Sequence, residues 1–190
     1  PIDGELHVWP TFWLPAEGLA EQSRTAKAPF DVWHREGYLS TTPGQSVEYE
    51  YVAKYIADLL VTVPGLQKIA FDRWNMKYLK PWLIKAGLSE DRITDLFVEF
   101  GQGFKDMSPA LRELETMLLA GKVRHGNHPV LAMCNANAVV KGDEAGGRKL
   151  DKKRSHGRID GMVALVMATS VATLGAGSDR FVEDELVVIR

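Results

Sequence analysis

The chain has one cysteine, Cys134, in 190 residues. A lone thiol excludes an intrachain disulfide framework and a four-cysteine zinc site, and it suits a reducing compartment. Long apolar runs are also missing. The longest covers residues 161–172, short of the roughly 18 residues a membrane-spanning helix needs. No signal peptide opens the chain, whose first residues are acidic and aromatic. There is no large excess of either charge: 23 Lys and Arg face 25 Asp and Glu, a formal net charge of −2. That excludes a bulk polycation binding nucleic acid or anionic membrane by overall charge, but not a local basic patch. No GxxxxGK[ST] phosphate loop and no GxSxG nucleophile elbow occur. Internal repeats and linkers are likewise lacking.

What remains is an ordinary globular composition, 45% apolar and 25% charged, which argues against disorder. The length suggests one domain over residues 1–174, followed by a tail over 175–190. Such a chain buries about 70% of its unfolded surface, enough for one sizeable core. Asp3-Gly4 is a hairpin turn signal, and residues 5–15 read as the strand after it. Only Pro1 and Ile2 precede the turn. The expectation is therefore a piece of a longer polypeptide, cut just inside a hairpin.

Further along, residues 16–30 read as a loop with a short helix, and 29–44 as strand or turn. A helix capped by Ser46 runs to about Val63 on helical spacing, and Pro64-Gly65 ends it. Residues 68–72 form a short apolar run closed by Asp72, the pattern of a buried strand with a polar tip. Asn75 caps a helix that stops at Gly87. Residues 95–100 give a second buried strand, closed by Gly101-Gln102-Gly103. Ser108-Pro109 marks a helix start, and His128-Pro129 another, reaching Ala138. Residues 139–153 form a two-stranded ribbon turning at Gly146-Gly147. A helix then runs from Arg158 to about Leu174, and residues 186–189 suggest a last short strand. Strands alternating with helices predict an α/β fold with a mixed sheet flanked by helices.

Several chemistries fail on spacing. Gly101-Gln102-Gly103 lacks the third glycine and the downstream acid of a dinucleotide loop, so it reads as a tight turn. His125, His128 and Cys134 have a loose ligand spacing with no fourth ligand. Ser155 and His156 are adjacent, which does not suit a nucleophile–base pair.

Two carboxylates are different. Asp72 closes an apolar strand, and Asp160 sits in the first turn of an apolar helix. Burying either costs several kcal/mol without compensation. A hard divalent cation such as Mg²⁺ supplies it through oxygen ligands; for Asp160, the helix N-terminus alone also favours a carboxylate. A basic segment leads to Asp160. Residues 141–158 hold seven bases (Lys141, Arg148, Lys149, Lys152, Lys153, Arg154 and Arg158) against three acids, whereas residues 1–50 hold eight acids and three bases. Alone this is a solvated charged ribbon; beside a carboxylate metal site it becomes a clamp for backbone phosphates.

The segments Phe71-Asp72-Arg73-Trp74, Gly101-Gln102-Gly103-Phe104-Lys105-Asp106-Met107-Ser108-Pro109, Arg124-His125-Gly126-Asn127-His128-Pro129-Val130-Leu131 and Lys152-Lys153-Arg154-Ser155-His156-Gly157-Arg158-Ile159-Asp160-Gly161-Met162-Val163-Ala164 resemble the C-terminal nuclease domain of the large terminase subunit of tailed bacteriophages. The hairpin start with Phe12-Trp13-Leu14-Pro15 and the Thr42-Pro43-Gly44 segment fit it too. The resemblance implies a ribonuclease H-like fold that here lacks its first strand. It implies an endodeoxyribonuclease that cuts concatemeric double-stranded viral DNA during packaging, with two Mg²⁺ or Mn²⁺ ions held by three carboxylates. Asp72 and Asp160 match two of these acids, and the third is expected upstream of Pro1. Asp3 belongs to the turn and is no substitute. The implied partners are viral DNA, an upstream ATPase domain of the same polypeptide, the portal protein and the small terminase subunit, in the host cell cytoplasm and with no membrane. Two other readings stay open: a non-catalytic DNA-binding or docking module, and another ribonuclease H-like enzyme such as a resolvase or transposase.

Overall fold

A computed structural model describes residues 4–73 and 75–174. The expected tail over 175–190, with its strand at 186–189, lies outside the described residues. So does Asp3, although Gly4 has the positive φ (+76°) a tight turn requires.

The expected strand over residues 5–15 is two short ones, β1 (Leu6–His7) and β2 (Trp13–Pro15). Pro10 lies between them and has no N–H to give a ladder. Helix α1 (Leu19–Ala26) follows as expected. The next segment corrects the reading of residues 29–44 as strand or turn alone. Pro29 leads into helix α2 (Phe30–Arg35), and only Ser40–Thr42 is strand, β3. Helix α3 (Tyr49–Thr62) begins later than Ser46, which is not its cap: the Ser46 hydroxyl donates to Glu48 Oε1 at 3.3 Å.

Strand β4 (Ile69–Asp72) matches its prediction, and helix α4 (Met76–Lys85) follows Asn75. Helix α5 (Glu90–Leu96) was not expected. Its signal was present, for Ser89 Oγ accepts from the Arg92 N–H at 3.2 Å, a side-chain N-cap. α5 takes up Asp95 and Leu96, so strand β5 is shorter than read, Phe97–Phe100. Helix α6 (Phe104–Leu119) starts a turn before Ser108-Pro109, with Gly103 at its N-cap position. Ser108 instead faces a neighbouring strand. Strand β6 (Val123–Arg124), helix α7 (Pro129–Asn137), the ribbon β7 (Val140–Gly142) and β8 (Arg148–Leu150), and helix α8 (Asp160–Leu174) complete the order.

The fold is mixed α/β. Among the described residues the strands form four two-stranded ladders. β1–β6, β2–β3 and β4–β5 are parallel, and β7–β8 is antiparallel. The β4–β5 register opposes Ile69 to Phe97 and Asp72 to Phe100. Both chains therefore leave the ladder at one end, Asp72 beside the turn at Gly101.

Helix α8 is apolar nearly all round, as a helix buried on every side must be. It packs against α6, α7 and β4. Val166 is fully buried, with Val163 and Ala168 at 1% exposure. Fully burying such a valine is worth about 1.5–3 kcal/mol. A second cluster joins Ile56 of α3, Leu83 of α4, Leu96 of α5 and Phe97 of β5. β4 borders both clusters, through Ala70 and Ile69 respectively, and it ends in Asp72. The two cores thus hold a carboxylate-tipped strand against the helix that opens with Asp160.

Candidate active site

Asp72 and Asp160 line one cavity of about 370 Å³. Its walls come from the segment around Phe12, from Ile69 and Phe71 of β4, and from Leu165 of α8. A mostly apolar lining with a few polar groups, Asn75 and Arg158 besides the two carboxylates, is the pattern of a site rather than of a packing defect. Both carboxylates are partly buried.

Each is placed by a different element. Asp72 is fixed by β4 and by the turn after β5, where Gln102 Nε2 donates to Asp72 Oδ2 at 2.5 Å. Asp160 stands in the first turn of α8, at the end where the helix dipole favours negative charge. The ribbon delivers a cation to it: Lys152 Nζ lies 3.9 Å from Asp160 Oδ1. Next in sequence, Gly161 lets α8 approach the N-terminal segment. A Cβ there would stand 2.8 Å from Phe12 Cζ and 3.2 Å from Leu131 Cδ1.

The seven bases of the ribbon divide. Lys152 faces Asp160. Arg158 lines the cavity, donates to Gln22 Oε1 at 3.1 Å, and stands over the Phe30 ring at 5.9 Å. Arg148 is held by Glu115 on α6, and its backbone N–H donates to Ser108 Oγ at 3.1 Å. The paired Arg148 guanidinium holds the Glu115 carboxyl below its ordinary value. Lys149 Nζ lies 5.0 Å from the Phe104 ring centroid at the start of α6. Arg154 meets Asp151 at 3.8 Å. Lys141 and Lys153 are exposed.

The readings set aside on spacing also have structural reasons. Cys134 is buried, and His125 Nδ1 accepts from the Asn127 N–H at 3.3 Å. His128 lies against the rings of Phe12 and Tyr38. Ser155 Oγ donates to the Asp151 carbonyl at 2.7 Å and closes the base of the ribbon. Among the described residues, no group of three or more His, Cys, Asp or Glu is placed to hold a metal ion.

The comparisons with known proteins decide the family. The model of the terminase large subunit, endonuclease domain, matches residues 1–175. The chain belongs to the terminase large subunit endonuclease domain family. It is 51% identical over 170 residues to the terminase large subunit of Enterobacteria phage HK97, covering 90% of this chain and 32% of that protein. It is 28% identical over 186 residues to protein YmfN of Escherichia coli K12, covering 91% of this chain and 38% of that one. The crystal structure of the HK97 bacteriophage large terminase superposes with a TM-score of 0.79 at 50% identity, over 87% of this chain and 33% of that chain. This terminase domain thus spans about a third of the length of the relatives it matches.

Gln102 escaped the reading of the sequence, where it counted only as part of a turn. Its signal lay in topology: two short apolar strands, each closed by polar residues, become neighbours at those polar ends when they pair in parallel.

The donor chemistry fits a hard cation in kind. Asp72 and Asp160 offer carboxylate oxygens on one cavity, the ligands that Mg²⁺ and Mn²⁺ take. In number it is a partial set.

Proposed function

We propose that this terminase domain is a metal-dependent endodeoxyribonuclease of ribonuclease H-like fold that cuts concatemeric double-stranded viral DNA during genome packaging. The observation that carries this reading is the convergence of Asp72 and Asp160 on one cavity, in a chain matched by the endonuclease family over residues 1–175.

Asp72 and Asp160 would hold two Mg²⁺ or Mn²⁺ ions together with a third carboxylate, on a strand preceding Pro1. When bound, such a pair of ions makes a water nucleophilic and stabilises the leaving oxygen of a phosphodiester. The rest falls to the chain's own residues. Gln102 holds Asp72, and α8 holds Asp160 at the cavity. Lys141, Arg148, Lys149, Lys152, Lys153, Arg154 and Arg158 supply positive charge for DNA phosphates. Such contacts position DNA without reading bases. We place the domain, over 1–174, at the C-terminal side of an ATPase domain in the same polypeptide. Its partners would be the portal protein and the small terminase subunit in the host cell cytoplasm.

The test is plasmid cleavage by the full-length protein with Mg²⁺ or Mn²⁺. Asp72→Ala and Asp160→Ala should each abolish cleavage while leaving DNA binding in place. Parent-like cleavage by both variants would overturn the proposal. One observation favours a second reading, a non-catalytic DNA-binding or docking module: the described residues hold no three-donor cluster. Full-length protein that binds DNA but shows neither Mn²⁺ binding nor cleavage would support that reading instead.

A further inference from the structure

We infer that Gln102 is the positioning residue of the Asp72 carboxylate, holding Oδ2 and so orienting the group as a ligand for a divalent cation. This deepens the proposed function and rests on it.

A carboxylate accepts hydrogen bonds and does not donate, so the Gln102 amide must turn its NH₂ to Asp72. The contact is 2.5 Å, partly buried, and spans 30 residues of sequence. It therefore reports the tertiary arrangement and not local chain geometry. A donor on one oxygen restricts how the group can turn. Groups behind a metal ligand act in this way, and losing them typically costs about 10–100-fold in affinity or activity.

Gln102 is itself held on both sides. Before it, Phe100 is buried and paired in register with Asp72. After it, Gly103 is the N-cap of α6, and its carbonyl accepts from the Met107 N–H at 3.0 Å. Gly101 is buried, and a Cβ there would overlap the Asp106 carboxylate and stand 3.0 Å from Arg73 Nη2. Asp72 and Arg73 thus both reach the turn that follows β5. A turn clamped at each end, with one amide aimed at a strand-end carboxylate, is a positioning device.

The experiment is calorimetric titration of Mn²⁺ into the nucleotide-free full-length protein. Four forms are compared: parent, Asp72→Ala, Gln102→Ala and Gln102→Met. Methionine keeps the length of the side chain and removes the donor, so it reads the contact even where alanine unfolds the turn. The Mn²⁺ binding that Asp72→Ala removes should weaken by about tenfold in both Gln102 variants, with the melting temperature of Gln102→Met unchanged. Parent-like Mn²⁺ affinity in Gln102→Met overturns this inference and leaves the nuclease reading intact. A lowered melting temperature with unchanged affinity also overturns it, since the role would then be structural. Unchanged Mn²⁺ binding in Asp72→Ala overturns both.

Discussion

Lys152 Nζ stands 3.9 Å from Asp160 Oδ1, where the basic ribbon hands the chain on to α8. Each side chain is 41% exposed, and exposed pairs contribute about 0–1 kcal/mol to stability. The pair's consequence is placement: it brings positive charge of the ribbon beside Asp160.

That placement predicts how DNA binding responds to salt. Reversing Lys152, Lys153 and Arg154 to Glu should weaken binding and flatten the dependence of log K on log salt. Three lost phosphate contacts would reduce the slope by about 2–3. Filter binding or fluorescence anisotropy across a salt series measures this. An unchanged slope would mean that this end of the ribbon faces away from DNA.

Arg148 should behave differently from its neighbours. Its guanidinium is engaged by Glu115, and the pair links β8 to α6. Arg148 lowers the Glu115 pKa from 4.5, mainly by hydrogen bonding. The contribution is therefore complete above pH 4.5 and is lost as pH falls through the lower folded value. Glu5 shows the same direction through Arg124, and there the pair ties β1 to β6. Glu115→Gln and Glu5→Gln should each flatten the acid limb of thermal stability below pH 4.5. Melts from pH 3 to 6 would show it; limbs as steep as the parent's would refute it.

Much of the fold was legible where one signal dominated. The ribbon at 139–153, the strand ending in Asp72 and the helix opening with Asp160 each had a pattern that nothing contradicted. Errors came where two signals competed. Ser108-Pro109 looked like a helix start, but the chain was already helical from Phe104, and Ser108 was needed by the Arg148 N–H. Ser89 capped a helix hidden by the apolar run after it. The two carboxylates could be picked out because a charge on an apolar element is costly. That they share a cavity follows from α8 packing on β4, which no local pattern encodes.

His128 should make the fold sensitive to mild acid. Its Nδ1 is buried without a hydrogen-bond partner among the described residues, and the ring packs on Phe12 and Tyr38. Burial lowers its pKa from 6.5, while a hydrogen bond to the Tyr38 backbone pulls the other way. The neutral ring is favoured in the fold, so the unfolded chain takes up the extra proton first. Stability is whole above about pH 6.5, falls as pH drops through that value, and levels off below the folded pKa. His128→Phe should remove this part of the decline between pH 7 and 5. A variant whose melting temperature falls as the parent's does over that range would contradict it.

Gly161 offers a test of how closely α8 must approach the N-terminal segment. Alanine is favoured over glycine by about 1 kcal/mol in a helix interior, an upper bound for Gly161 in the first turn of α8. Here the added methyl would lie 2.8 and 2.9 Å from Phe12 Cζ and Cε1, and 3.2 Å from Leu131 Cδ1. The Phe12 ring lies 5.3 Å from that of His128 and packs at the edge of two apolar clusters, so moving it away disturbs those contacts. Overpacking of this kind costs about 1–3 kcal/mol, enough to cancel or exceed the gain in helix propensity. Gly161→Ala should therefore lower the melting temperature in the parent but raise it in a Phe12→Leu background, where the ring is gone. The double-mutant cycle isolates the contact from the propensity. If alanine stabilises both backgrounds equally, Phe12 does not limit the approach of α8, and the glycine before Met162 has no steric role at the cavity wall.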